Sequence, residues 1–191
     1  MKTLILSLTL LLCCSFQIND PVLQDKNEAQ KAYMLLNDIR TNPAKYYKQY
    51  PFLKKLNFTK TKLIWNDTLA QVAEAKAYDM ANRNYFGHVN PEGYGMNYYI
   101  SKTGYALEKE WTANKKDNFF ESIAAGDSTG ENAINNLILD KGIPSLGHRK
   151  HLLGVEQWNA ALVDIGIGFA KRANGSMYGY YMSVIIAKHH W

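Results

Sequence analysis

An α+β fold is what this sequence predicts, and three observations predict it. Apolar residues recur at helical spacing through residues 25–40, 66–81 and 128–138. From Leu162 to Ala187 the pattern changes to that of two strands, and Asn174-Gly175 lies between them as a turn, since both residues tolerate positive φ. Helices first and a closing antiparallel hairpin give helices covering a small sheet. With 191 residues, 47% of them apolar, the chain is long enough to bury one real core.

Each element has a local reason. Asp25 to Arg40 places Ala32, Leu35, Leu36 and Ile39 on one helical face. Asn42-Pro43 then starts a short helix, with Asn as cap and Pro where no N–H is needed, and Pro51 ends it after Tyr46, Tyr47 and Tyr50. Asn66-Asp67 caps the next helix, whose stripe is Leu69, Val72, Ala73, Ala77, Met80 and Ala81. A short helix over Met96 to Lys102 stops at Gly104, and Tyr105 to Asp117 reads as a long loop at a rim or lid. Ser128 or Thr129 caps a helix carrying Ile134, Leu137 and Ile138, halted by Gly142 and Pro144. The first strand, Leu162 to Phe169, alternates Val163, Ile165, Ile167 and Phe169 with Asp164, Gly166 and Gly168, and the second, Met177 to Ala187, is nearly all apolar or aromatic.

The ends and the charge set the setting. MKTLILSLTLLLCCS pairs Lys2 with an apolar run from Leu4 to Leu12, too short to span a bilayer and right for a signal-peptide core, so residues 1–15 read as an export signal, residues 16–28 as a lead and residues 29–191 as the domain. An uncleaved anchor and a lipoprotein signal are the alternatives. Both cysteines, Cys13 and Cys14, fall in that signal, so no intramolecular disulfide is expected in the mature protein. The net charge of +5 is mild. Lys54 to Lys62, with Lys109, Lys115 and Lys116, reads first as a solvated loop face, with peripheral contact to an anionic surface as the alternative, and no arginine-rich helix or aromatic-basic motif marks a nucleic-acid partner.

Three loop-edge segments carry the chemistry: FGHVNPEG from Phe86, FFESIAAG from Phe119, and ILDKGIPSLGHRKHLL from Ile138. His88 and His148 supply imidazoles suited to zinc or a similar divalent ion, and Glu121 a carboxylate to complete the shell or take a proton from bound water. The bland reading is hydrogen-bonded histidines beside turns. His151 is read as a surface or packing residue, because Arg149 and Lys150 suggest a solvated turn, and Ser122 and Ser145 as turn or cap residues. His189 and His190 are read as frayed. No nucleophile elbow, phosphate loop or dinucleotide fingerprint is present, so no nucleotide or organic cofactor is expected. Tyr98, Tyr99 and Tyr105 lie nearest the expected rim, where an apolar groove would take a lipid or sugar.

LNDIRTNPAKYY, LIWNDTLAQVAEAKAYDMA, YFGHVNPEG, SIAAG, LILDKGIPSLGHRKHLL and VDIGIGFA follow one another from about Ala29 onward in the order and spacing of a bacterial-type CAP domain. The chain thus resembles the CAP superfamily of cysteine-rich secretory, antigen five and pathogenesis-related proteins, also called SCP domains. The resemblance implies a three-layer α-β-α sandwich with a small antiparallel central sheet and a central cleft. It maps the family's two cleft histidines onto His88 and His148 and its first cleft glutamate onto Glu121. The second falls at Asp140, a shorter acid, and Glu131, within a literal Gly-Glu-Asn, is read as a decoy. The disulfides and cysteine-rich tail of the eukaryotic branch are missing, which points to a bacterial-type member. The expected function is a secreted or cell-envelope binding module, non-enzymatic, whose cleft holds a divalent metal through His88 and His148. Two alternatives stay open: a zinc-assisted hydrolase with Glu121 as general base, and a lipid or sterol carrier. The ligand, whether a lipid, a sterol or a cell-envelope component, and the oligomeric state are not given by the sequence.

Overall fold

The computed structural model describes residues 20–188. The signal-peptide reading of residues 1–15 and the readings of His189 and His190 lie outside the described residues. The described residues contribute five strands, β1 (Leu23–Gln24), β2 (Ile64–Trp65), β3 (Glu121–Ala125), β4 (Asp164–Lys171) and β5 (Tyr180–Ala187), which form one sheet. Six α-helices accompany them among the described residues: α1 (Lys26–Thr41), α2 (Asp67–Arg83), α3 (Met96–Ser101), α4 (Gly130–Leu139), α5 (Gly147–Leu153) and α6 (Glu156–Ala160).

The closing hairpin is the centre of the sheet. β4 and β5 pair antiparallel from Asp164↔Ala187 to Lys171↔Tyr180, and β3 pairs antiparallel with the other side of β5, from Glu121↔Ile185 to Ala125↔Tyr181. The outer side of β4 takes β1 antiparallel at one end and β2 parallel at the other. β3 is therefore an edge strand. The hairpin loop is longer than a two-residue turn: Asn174-Gly175 sits inside a connection from Arg172 to Gly179, with Gly175 and Gly179 both at positive φ.

The alternation along β4 is not an inside-outside pattern, because Asp164 to Ala170 is buried throughout. Ile165, Ile167 and Phe169 join the main core with Leu36 and Ile39 of α1. Gly166 and Gly168 lie under α2: a Cβ on Gly166 would overlap the backbone at Leu69 and Ala70, and one on Gly168 the backbone at Ala73 and Glu74. The missing side chains let the α2 backbone rest on the strand. α1, α4 and α5 pack together on the opposite face, with α4 and α5 against β3, which gives the α-β-α arrangement.

The helix starts match their sequence signals. Asp25, Asn66 and Thr129 each accept from a backbone N–H three residues on, at 3.3, 3.0 and 3.2 Å. Asn42 does not cap; its amide donates to Asp38 Oδ1, and Pro43 and Pro51 each open a separate 3-10 turn. α4 ends earlier than Gly142 and Pro144 imply, because Asp140 itself adopts the left-handed conformation at φ 47°. Asp tolerates that conformation, and its carboxylate finds partners there. β3 was not legible as a strand, since Glu-Ser-Ile-Ala-Ala has no two-residue alternation and four of its five residues are buried. β1 and the first turn of α1 fall in the expected lead before Ala29.

Candidate functional site

The site is built around β3, where helical layers meet the sheet edge from both sides. Glu121 begins the strand, its side chain wholly shielded from solvent. One carboxylate oxygen, Oε1, accepts from Ser183 Oγ of β5 at 2.8 Å, and the other, Oε2, lies 3.0 Å from His88 Nδ1. His88 stands on the loop that follows α2, on the α2 side of the sheet. Lys76 of α2 holds that loop: its buried ammonium donates to the carbonyls of Gly87 at 2.6 Å and His88 at 3.2 Å. Asn90 closes the next turn through its backbone and its Oδ1, which takes the Tyr94 N–H at 2.8 Å. The imidazole itself stays 38% exposed.

The second histidine comes from the other layer. His148 is in the first turn of α5, and its Nδ1 lies 2.8 Å from Oδ1 of buried Asp140. Asp140 Oδ2 also accepts the Arg149 N–H at 3.2 Å. Arg149 does not form a solvated turn: its guanidinium donates to the carbonyls of Ile138 and Leu139 at the end of α4 and lies 4.0 Å over the Phe52 ring. The left-handed Asp140, the Arg149 cap and the short α5 together hold His148.

Both pairs have one form. A carboxylate has no proton to give, so an imidazole facing it donates from Nδ1 and keeps the lone pair on Nε2. The structure thus brings Glu121 to His88 and Asp140 to His148, one pair on each side of β3. A cavity of about 260 Å³ opens beside His148, lined by Ala124 and Ala125 of β3, by Phe86 and Tyr178, and by Asp140 and Ile143; neither His88 nor Glu121 lines it. Among the described residues, no three His, Cys, Asp or Glu side chains come together as a metal-holding group.

His151 was expected at the surface or in packing, and the structure puts it in the core with a defined bonding role. It is 7% exposed, with Nε2 3.3 Å from the Ile186 carbonyl and Nδ1 2.8 Å from Ser122 Oγ. A carbonyl only accepts, so Nε2 carries the proton and Nδ1 takes the serine hydroxyl. Burial pushes the His151 pKa down to about 4. Ser122 is accordingly a buried strand residue and not a turn or cap. Sequence reading missed Ser183, Lys76 and Arg149; a polar residue inside the apolar run of β5 was the signal for Ser183. Glu131 lies exposed in the first turn of α4. Of the expected rim tyrosines, Tyr105 is buried and donates to Asp164 at 2.6 Å, while Tyr99 borders a different cavity, between α2 and α3.

Comparison with known proteins decides the family. Residues 33–186 match the model of CAP, the cysteine-rich secretory protein family. The chain belongs to that family. This CAP protein is 32% identical over 113 residues to an uncharacterized protein, YkwD, of Bacillus subtilis, an alignment covering 59% of the chain and 36% of that protein. Two solved structures share the fold. An extracellular protein containing an SCP domain from Bacillus anthracis aligns with TM-score 0.53 and 23% identity over 86% of this chain and 41% of its own. An outer surface protein of Borrelia burgdorferi aligns with TM-score 0.57 and 20% identity over 90% of this chain and 99% of its own. The CAP chain therefore spans less than half the length of the two Bacillus proteins. No helix among its described residues is long and apolar enough to cross a membrane.

Proposed function

We propose that this CAP protein is an exported binding module whose cleft takes a divalent metal ion, zinc or a similar cation, through Nε2 of His88 and His148. One observation carries the reading: both half-buried imidazoles have Nδ1 tied to a buried carboxylate, which is how protein ligands to a metal are oriented by their outer partners. Glu121 and Asp140 then position ligands and do not ligate. Two imidazole nitrogens fit the donor preference of zinc but fill only part of a four-coordinate shell, so the remaining positions would fall to water or to the bound partner. A bound cation would supply Lewis acidity and a fixed positive charge at the cleft. The chain's own residues hold the imidazoles, and Phe86, Tyr178 and Ile143, which line the cavity beside His148, give apolar surface for a ligand.

Both Glu121 oxygens are occupied and the side chain has no exposed surface, which supports a positioning role over that of general base on a bound water. The extracellular and outer-surface descriptions of the two structural neighbours agree with the apolar N-terminal run in supporting export. Calorimetric titration of zinc at neutral pH tests the reading. Saturable binding by the parent protein that disappears in the His88→Ala/His148→Ala variant is expected. Equal binding by both, or none by the parent, overturns it.

A further inference from the structure

A second cavity, of about 500 Å³, lies between α2 and α3. Its size is that of small-molecule sites, roughly 300–1,000 Å³. Val72 and Ala75 of α2, Met96 of α3 and the rings of Tyr85 and Tyr99 give it largely apolar walls.

The polar groups on the wall are mostly committed to one another. Arg83 holds Asp79 at 2.6 and 2.7 Å and also bonds Glu92, so one cation answers two carboxylates. Asn90 donates to Glu92 and to the Tyr99 hydroxyl, both at 2.6 Å. Lys76 is different. Its ammonium is buried, yet the three oxygens it bonds, two backbone carbonyls and the Tyr85 hydroxyl at 3.2 Å, are all neutral. Glu121 and Asp79 act on it from a distance, and burial still draws its pKa down. A buried cation with only neutral partners gains from an added anion.

We propose that the α2–α3 cavity is a second binding site, for a compact apolar molecule bearing one acidic group, of the aromatic carboxylate or sulfonate class. The body packs on Val72, Met96 and Tyr99, and the acid pairs with Lys76. The Tyr85 hydroxyl is the partner the ligand replaces, because it keeps its own bond to Asp79 Oδ2 at 2.6 Å. Lys76 keeps hold of the Gly87 and His88 carbonyls, so the site shares a wall with the loop that carries His88 while remaining separate from both imidazoles.

The test uses anilinonaphthalene sulfonate, an aromatic monoanion, titrated into the full chain and followed by fluorescence, with its neutral relative phenylnaphthylamine as the charge control. Ala75→Trp and Thr103→Trp each place an indole in the cavity from an exposed position, so the fold is retained. Saturation at one equivalent is expected, weakened by about tenfold or more in each Trp variant, and the neutral relative should bind about tenfold less tightly than the anion. Zinc titration should be unchanged in both Trp variants, which separates failure here from failure of the histidine reading. In amide NMR spectra the largest shifts should include Gly87 and His88. No saturable binding, or binding that both Trp variants leave intact, overturns the site; equal affinity for the neutral relative overturns the acidic class.

Discussion

Glu121 and Asp140 perform one task from two kinds of backbone. Glu121 reaches His88 from a strand, and Asp140 reaches His148 from a left-handed residue at a helix end, which suits its shorter side chain. Replacing Glu121 by Gln keeps the shape but weakens the hold on Nδ1, so zinc affinity should fall by roughly 10- to 100-fold, measured by calorimetry. An unchanged affinity would remove Glu121 from the site. His151 gives a prediction about pH. Its folded pKa of about 4 lies below the ordinary 6.5, so the unfolded chain binds the proton more readily between those values. Stability therefore rises with pH across that window, and the contribution, fully present above about 6.5, is lost as pH falls toward 4; it amounts to about 3 kcal/mol. Urea unfolding between pH 4 and 7 should show a flatter profile for His151→Phe than for the parent, whatever the variant's absolute stability. Arg40 adds a buried cation of another kind: its three guanidinium nitrogens have no hydrogen-bond partner among the described residues, and burial lowers its pKa to about 10. Since a buried unpaired charge opposes folding, Arg40→Met should be at least as stable as the parent in thermal melts.

At the level of elements, the contact between α2 and β4 explains more than any single residue. Strand glycines usually weaken a sheet, but Gly166 and Gly168 let a helix backbone lie flat on it, and α2 in turn sets the start of the His88 loop. Gly168→Ala should cost about 1–3 kcal/mol or more, because its Cβ would meet the backbone of Ala73, which has no rotamer to change. A lower urea midpoint with an unchanged slope would be the signature. The helix starts were legible because a cap is a local event: Asp25, Asn66 and Thr129 bond residues three positions away. β3 was not legible, because an edge strand covered from both layers needs no alternation, and its identity depends on β5 some sixty residues later.

The candidate site residues come from separate layers of the molecule. His88 follows α2 on one face of the sheet, His148 belongs to α5 on the other, and β3 lies between them. A metal held by both would bridge the layers, so zinc should raise the melting temperature of the parent protein and a chelator should reverse the rise. The stabilisation expected from linkage is about 2.7 kcal/mol at a free concentration one hundred times Kd. No shift in the parent, or an equal shift in the double-histidine variant, would show that the cation does not join the two layers.

By itself the sequence determined the helices that begin at Asp25, Asn66 and Thr129, the closing strand pair, and the choice of His88, Glu121 and His148 as candidate site residues, with Asp140 added by the resemblance to CAP domains. Those follow from local periodicity, capping chemistry and ordered motifs, all of which a chain carries in short segments. Tertiary structure alone decided what each residue does. It made Glu121 a shielded partner of Ser183 and His88, put His151, expected at the surface or in packing, into the core with a defined bonding role, set Arg149 on the end of α4, and left Lys76 bonded to neutral oxygens beside a cavity. These roles depend on which groups are withdrawn from water together, and that is fixed only when β3, β5 and the helices on both faces close around one another.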